Sequence, residues 1–237
     1  MKRAILIPMF NEEKSIGAVL SSLSEFKKDY EIVVVDDGSY DNSLEVVKNY
    51  DVTVLRHCIN AGYGATIQTG LKYLYEKGFE QVILFDGDGQ HPVESINQLS
   101  EMAIKSQNDI VIGSRFIKDY REAGFLKSLA LRFFTLVIHI ATGVVIKDPT
   151  SGFKCLSRRA MRYYISDIMP LSFPDADAMI LAIKAGLKIG EVPVTMKKRI
   201  SGRSMHYGIR AITYMFNMFF SILLCILKSN KELKMED

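Results

Sequence analysis

The chain has 237 residues, 48% of them hydrophobic, enough to build one substantial α/β core. A formal net charge of +3 is close to balance and excludes bulk nucleic-acid binding, which needs a concentrated basic stripe. Three widely separated cysteines, Cys58, Cys155 and Cys225, form neither a disulfide framework nor a zinc-ligand spacing, and read as reduced thiols in a reducing compartment.

The chain opens on Lys2 and Arg3 followed by an apolar run, Ala4–Pro8, shorter than a secretory hydrophobic region of roughly 7–15 residues. The expectation is a first strand and no signal peptide. Further runs rich in Val, Ile and Leu follow at Glu31–Val35, Val52–Leu55, Val82–Phe85 and Ile110–Ile112. Segments of helical period separate them, at about Ser15–Phe26, Asn42–Asn49, Tyr63–Glu76 and Val93–Ile104. Strand and helix in alternation predict right-handed crossovers and a mostly parallel central sheet flanked by helices. The second half is less regular. Helices are expected over Phe125–Thr142, about Asp175–Ala185 (ended by Gly186) and about Tyr207–Lys228, with a strand at Ile189–Val194 and a basic loop from Lys197 to His206.

Three of the early strands end in polar or glycine-containing clusters: Pro8-Met-Phe-Asn-Glu-Glu, Asp36-Asp-Gly-Ser and Asp86-Gly-Asp-Gly-Gln-His. Open α/β sheets bind ligands at the carboxyl ends of their strands, so these clusters are expected to converge on one crevice. Asp86 and Asp88, with Gly87 between them, suit a hard cation such as Mg2+ or Mn2+ that keeps waters and takes other ligands from phosphates. Gln90 adds an amide oxygen. A solvated Asp-Gly turn is the plainer reading of the same residues. Asp37 has the chemistry to accept from ribose or base donors, but the Asp36–Ser39 stretch also reads as a turn before the N-cap Asn42. Asn11 and Glu12 carry the same ambiguity as helix-start residues. Gly62 opens a helix whose N–H groups could face an anion. Arg115, Arg199 and Arg203 are candidate phosphate clamps by virtue of the planar guanidinium fork, or else ordinary surface charge. His57, His91, His139 and His206 show no clustered ligand spacing.

Taken together, Ile7-Pro-Met-Phe-Asn-Glu-Glu, Val35-Asp-Asp-Gly-Ser, Asn60-Ala-Gly-Tyr-Gly-Ala, Phe85-Asp-Gly-Asp-Gly-Gln-His-Pro, Gly113-Ser-Arg-Phe, Asp148-Pro-Thr-Ser-Gly-Phe and Glu191-Val-Pro resemble the family-2 glycosyltransferases. Within that family the chain is similar to the polyprenyl (dolichyl)-phosphate mannose and glucose synthases. The resemblance implies a GT-A fold with a Rossmann-like nucleotide-binding half, and inverting transfer from a nucleoside-diphosphate sugar. It implies that Asp37, with Pro8 and Glu12, holds the nucleoside, and Asn11 and Gly62 are expected in the same nucleotide-sugar site. It implies that Asp86, Asp88 and Gln90 hold the Mg2+ or Mn2+ and the diphosphate, and that Arg199 binds donor phosphate. Arg115 would face the acceptor phosphate, with Asp177 (or its competitor Asp175) beside the acceptor, so Asp88, Asp177 and Arg115 are the expected catalytic groups. The chain departs from the pattern after Gly-Ser-Arg, where Lys127 and Arg132 stand in for a second arginine, and at Asp177, where glutamate is common.

The acceptor decides what Asp177 does. A phosphate monoester is already anionic, whereas a saccharide hydroxyl needs a general base. A polyprenyl phosphate is the expected acceptor. A saccharide hydroxyl, as in surface-polysaccharide or cell-wall assembly, is the rival within the enzyme class, and an inactive nucleotide-sugar-binding scaffold is the rival outside it.

Residues 1–206 are expected to form the catalytic domain and 207–237 an amphipathic membrane or oligomerisation helix and tail. Ile209–Leu227 is nearly long enough to span a bilayer, but Arg210, Thr213, Asn217, Ser221 and Lys228 share one stripe. In Phe125–Thr142 the residues Ser128, Arg132, Thr135, His139 and Thr142 also line one face. A span would also export Lys228, Lys231 and Lys234 from a cytoplasmic catalytic domain. Both helices are therefore expected to lie in the interface, placing the protein peripherally on the cytoplasmic side of a membrane. Packing on the domain, on a second copy or on a small membrane-protein partner is the alternative.

Overall fold

The computed structural model describes residues 1–117, 125–167, 176–200, 220–222 and 224–225. Seven strands form a single sheet: β1 (Arg3–Met9), β2 (Glu31–Asp36), β3 (Thr53–Arg56), β4 (Gln81–Leu84), β5 (Ile110–Ser114), β6 (Lys154–Ser157) and β7 (Ile189–Pro193). Their spatial order is β3-β2-β1-β4-β6-β5-β7, parallel throughout except that β6 runs antiparallel to both β4 and β5. The helices are α1 (Ile16–Ser22), α2 (Ser43–Val47), α3 (Tyr63–Glu76), α4 (Ile96–Lys105), α5 (Phe125–Thr142), α6 (Arg158–Tyr164) and α7 (Ala176–Lys184).

The period-2 alternation of side chains along a strand splits the core into two layers. Ala4, Leu6, Val33, Val35, Val82, Leu84, Ile110 and Ile112 face the layer closed by α3, α5, α6 and α7. Ile5, Ile7, Met9, Ile32, Val34, Ile83, Phe85 and Val111 face the layer closed by α1, α2 and α4. All eight strand residues in each set are nearly or fully buried. Each full burial of such a side chain is worth about 1.5–3 kcal/mol, which makes this sheet the rigid platform for the loops at its carboxyl edge.

Local chemistry sets the strand ends. Pro8 lacks an N–H, and its side of β1 looks toward β4, whose pairing ends at Leu6↔Leu84. The missing donor therefore costs no ladder bond. Just beyond, Asn11 takes a positive φ of 56° and Gly38 one of 70°. A Cβ on Gly38 would lie 2.8 Å from the Ile59 carbonyl carbon, so only glycine fits this turn.

β6 and α6 are absent from the sequence expectation. The signal was a short run, Phe153–Leu156, interrupted by Lys154. That lysine is opposite Leu84 and Ile112 and only 3% exposed, so a charge occupies an inward-facing position. The helix expected over Ser15–Phe26 is two elements, α1 and a 3-10 turn at Ser24–Lys28.

In α5 the expected polar stripe does not face water as a unit. Ser128 is buried, and the Thr135 and Thr142 hydroxyls donate to the carbonyls of Ile146 and Ile138. The Thr142 bond is local, back to the preceding turn, whereas Thr135 reaches a carbonyl beyond the helix end. The exposed side instead carries Leu129, Phe133, Leu136 and Ile140 beside Arg132 and His139. Of the expected terminal helix, Phe220–Ile222 and Leu224–Cys225 are helical, and its remaining residues lie outside the described ones.

Candidate active site

β1, β2 and β4 deliver their three polar clusters to one edge of the sheet, as expected. After β4, the Phe85 N–H still donates to the Leu6 carbonyl, and the chain then turns through Asp86–Gln90. Asp86 Oδ1 accepts from the Tyr63 hydroxyl (3.2 Å) at the start of α3. The backbone of Gly152 passes so close that a Cβ there would sit 3.0 Å from Asp86 Oδ2. Asp88 Oδ1 accepts the Gln90 N–H (2.9 Å), while its Oδ2 is 2.7 Å from Arg199 Nη2.

Residues 197–200 strap this turn from above. The Lys197 N–H donates to the Gln90 carbonyl (2.8 Å) and the Ile200 N–H to the Asp88 carbonyl (3.2 Å). Lys197 Nζ also reaches Glu94 (3.0 Å). Gly89, at φ 79°, would place a Cβ 2.4 Å from Ile200 Cδ1. Here the structure brings Arg199, read in the sequence as a phosphate clamp, onto a carboxylate. Arg203, the other arginine of that loop, lies outside the described residues, as do Asp175 and His206.

The electrostatics of the turn favour an added cation. Burial raises the Asp86 carboxyl above its ordinary range, against the Tyr63 hydrogen bond and the charges of Arg199, Lys154 and Arg115. Asp88 is raised by burial and then by Asp86 itself. Glu12 is raised by burial against its bond from Ser15, and the charges of Asp88, Arg199 and Asp86 all reach it. For all three the largest cause is burial, with repulsion from a neighbouring carboxylate a smaller addition at Asp88 and Glu12. Two of them, Asp86 and Asp88, are hard oxygen donors on a single turn. No group of three or more metal-ligating side chains occurs among the described residues. A donor pair of this kind fits Mg2+ or Mn2+, which retain waters and take substrate oxygens, and does not fit a closed protein cage. The Gln90 amide is at the turn, and only its backbone is engaged in hydrogen bonds among the described residues.

Asp37 clamps its own edge of the sheet. Its Oδ1 accepts from His57 Nδ1 (2.7 Å) and the Ala61 N–H (2.8 Å), and its Oδ2 from the Gly62 N–H (2.9 Å). His57 is held in turn by Thr69 (2.9 Å). The N–H of Gly62, which the sequence offers to an external anion, is therefore already bound by an internal one. Asn11 and Glu12 stitch the same edge: their N–H groups donate to Ser39 and Ser43, and the Asn11 amide oxygen accepts the Tyr40 N–H.

Arg115, at the end of β5, grips the buried Asp148 through Nε and Nη2, both at 2.7 Å, and adds Thr150 (3.0 Å). Glu191 on β7 receives the N–H groups of Lys147 and Asp148, and Ser151 donates to Gly113, so this segment staples β5 to β7. The Arg115 charge still reaches Asp86. Asp177 lies in the first turn of α7. It is 3% exposed on α7, bonded to the Ala178 N–H and the Ser221 hydroxyl. Tyr63, His91, Lys154 and Thr150 are contributors that sequence reasoning passed over. Tyr63, His91 and Thr150 fall inside stretches singled out above, so position within a cluster was the available signal.

A family description, glycosyl transferase family 2, matches residues 4–165. An uncharacterised protein of Methanocaldococcus jannaschii is 32% identical over 93% of this chain and 90% of its own length. The UDP-N-acetylglucosamine–dolichyl-phosphate N-acetylglucosaminyltransferase of Methanococcus voltae is 29% identical, covering 93% of this chain and 94% of its own. The dolichol-phosphate mannosyltransferase of Pyrococcus furiosus is 31% identical over 92% of this chain, which spans 63% of that relative. Among solved structures, the glucosyl-3-phosphoglycerate synthase of Mycobacterium tuberculosis with Mn2+, uridine diphosphate and glucosyl-3-phosphoglycerate superposes with a TM-score of 0.71 at 18% identity, covering 95% of this chain and 79% of its own. That likeness agrees with the GT-A fold expected from the sequence. With its strand-end acidic turn in place and the family pattern matched over most of its length, the chain belongs to glycosyl transferase family 2.

Proposed function

We propose that this glycosyltransferase moves a sugar, with inversion, from a nucleoside-diphosphate donor to a polyprenyl phosphate at the cytoplasmic face of a membrane. The observation that carries the donor half is the turn after β4, where the raised Asp86 and Asp88 carboxylates face Arg199 at one end of the sheet. Asp86 and Asp88, with Gln90, would hold Mg2+ or Mn2+. When bound, such an ion neutralises charge on the departing diphosphate. Arg199 has a guanidinium at the same turn that can pass from carboxylate to phosphate, which its planar fork fits equally well. Pro8, Asn11, Glu12, Asp37 and Gly62 build the nucleoside side, with Asp37 fixing the 61–62 loop as well.

The acceptor half is supported by the relatives named for dolichyl-phosphate transfer, by Arg115 and by Asp177. A phosphate acceptor needs no general base. Asp177, buried and bonded to Ser221, suits an orienting role better than proton abstraction. Leu129, Phe133, Leu136 and Ile140, at 59%, 44%, 55% and 75% exposure, recur every three or four residues along α5. A contiguous apolar helix face of this kind supports docking on a lipid surface. No helix among the described residues is long and apolar enough to cross a membrane.

The test is a nucleotide-sugar panel with Mg2+ or Mn2+ and dolichyl or undecaprenyl phosphate in detergent, comparing wild type with Asp88→Ala. The expected result is metal-dependent glycolipid that disappears in the variant. Nucleotide release only on adding a saccharide would move the acceptor to a hydroxyl, and no turnover with any donor would leave a binding scaffold.

A further inference from the structure

We infer that His57 is a positioning residue for the donor nucleoside: it occupies one oxygen of the Asp37 carboxylate and leaves the other, Oδ2, to receive a donor group of the ligand. This rests on the nucleoside contact proposed above for Asp37. His57 follows β3 directly, and its N–H donates to the Asp36 carbonyl (2.9 Å). The Asp37 N–H donates to the Met9 carbonyl (2.8 Å), so the ends of β1, β2 and β3 are tied together at these two aspartates. Both oxygens of the buried Asp37 carboxylate accept backbone N–H groups, Oδ1 from Ala61 (2.8 Å) and Oδ2 from Gly62 (2.9 Å). A carboxylate that accepts on both oxygens has no proton to give, so the 2.7 Å bond between Oδ1 and the ring is donated by Nδ1. With that proton placed, Nε2 accepts the Thr69 hydroxyl at 2.9 Å and anchors the ring to α3.

A carboxylate oxygen has room for about two donors. Oδ1 has both, from His57 and Ala61, whereas Oδ2 has only Gly62 among the described residues. The open acceptor position is therefore on Oδ2, where a base N–H or a ribose hydroxyl can bind. Holding the 61–62 loop does not call for a histidine, because the two backbone N–H groups reach the carboxylate by themselves. An imidazole bonded through both nitrogens adds something else. It fixes the rotation of the carboxylate about its Cβ–Cγ bond, and so the direction in which Oδ2 accepts.

The experiment uses the full chain with Mn2+ and calorimetric titration. The probes are the nucleoside diphosphates UDP, GDP, ADP, CDP and dTDP, and inorganic pyrophosphate, which lacks the nucleoside. His57→Phe keeps a ring and removes both hydrogen bonds. His57→Asn returns an amide donor near the Nδ1 position. The expected outcome is that affinity for the nucleotide bound by wild type falls about 10-fold in His57→Phe and is mostly recovered in His57→Asn, while pyrophosphate affinity does not change. Equal losses for nucleotide and pyrophosphate would assign His57 to the general integrity of this edge and overturn the inference. Wild-type-like nucleotide affinity in His57→Phe, or no recovery in His57→Asn, also overturns it. Wild type that binds none of the nucleotides overturns the donor reading itself, and this inference with it. Histidine 15N spectra of the wild type give an answer that needs no variant to fold: a proton on the Nδ1 of His57 supports the arrangement, and an unprotonated Nδ1 overturns it.

Discussion

Asp37→Asn separates the loop clamp made by this carboxylate from the nucleoside contact proposed for it. The wild-type side chain accepts three hydrogen bonds, from His57, Ala61 and Gly62, at 2.7–2.9 Å. Asparagine keeps at most the two on Oδ1 and turns its NH2 toward the Gly62 N–H, leaving that donor without an acceptor. A hydrogen bond to a charged acceptor is worth about 1.5–3 kcal/mol net, and orphaning a partly buried N–H costs a further fraction of about 1–3 kcal/mol. The expected loss is about 3 kcal/mol. For a chain of this size that lowers the thermal midpoint by about 6–12 °C. Thermal and urea unfolding without any nucleotide measure it, and calorimetric titration with nucleoside diphosphates measures the binding role separately. A midpoint within about 2 °C of wild type would refute the clamp, even if nucleotide affinity fell.

Three further outcomes are expected. Asp148→Ala removes the bidentate partner of Arg115 and should cost about 3–5 kcal/mol in urea unfolding, whereas an unchanged midpoint would show that the staple between β5 and β7 is held elsewhere. Gly89→Ala forces a Cβ into Ile200 at a positive φ, so the 197–200 strap should lift from Asp88 and trypsin should cleave after Lys198 or Arg199 faster than in wild type. In native thiol labelling Cys58 should react quickly and Cys155 should stay protected up to pH 9, because burial pushes the Cys155 thiol up and leaves no thiolate; rapid labelling of Cys155 would contradict its place in the core.

The parallel half of the sheet was readable from sequence because β1, β2 and β5 are uninterrupted apolar runs, and a buried parallel strand leaves no other pattern. The clusters after Pro8, Val35 and Phe85 were readable for a related reason. A polar residue straight after such a run can only stand at the sheet's carboxyl edge. β6 was not readable, since Lys154 breaks its pattern and only the packed structure supplies the acidic field around Asp86 that accommodates a buried lysine. Likewise, the spacing of serine and threonine in α5 gave a polar stripe, but Ser128 is buried, the Thr135 and Thr142 hydroxyls are taken up by carbonyls, and leucine and phenylalanine lie outside.

The sequence alone therefore determined which residue types reach the catalytic edge, because short-range periodicity fixes strand direction and strand ends. Tertiary structure alone decided what each does there. Asp37 closes on its own loop, Arg199 meets Asp88 across 111 positions of chain, and His91 turns back onto Asp86. These pairings depend on how strands far apart in sequence are stacked side by side. No local pattern of residues encodes that distance.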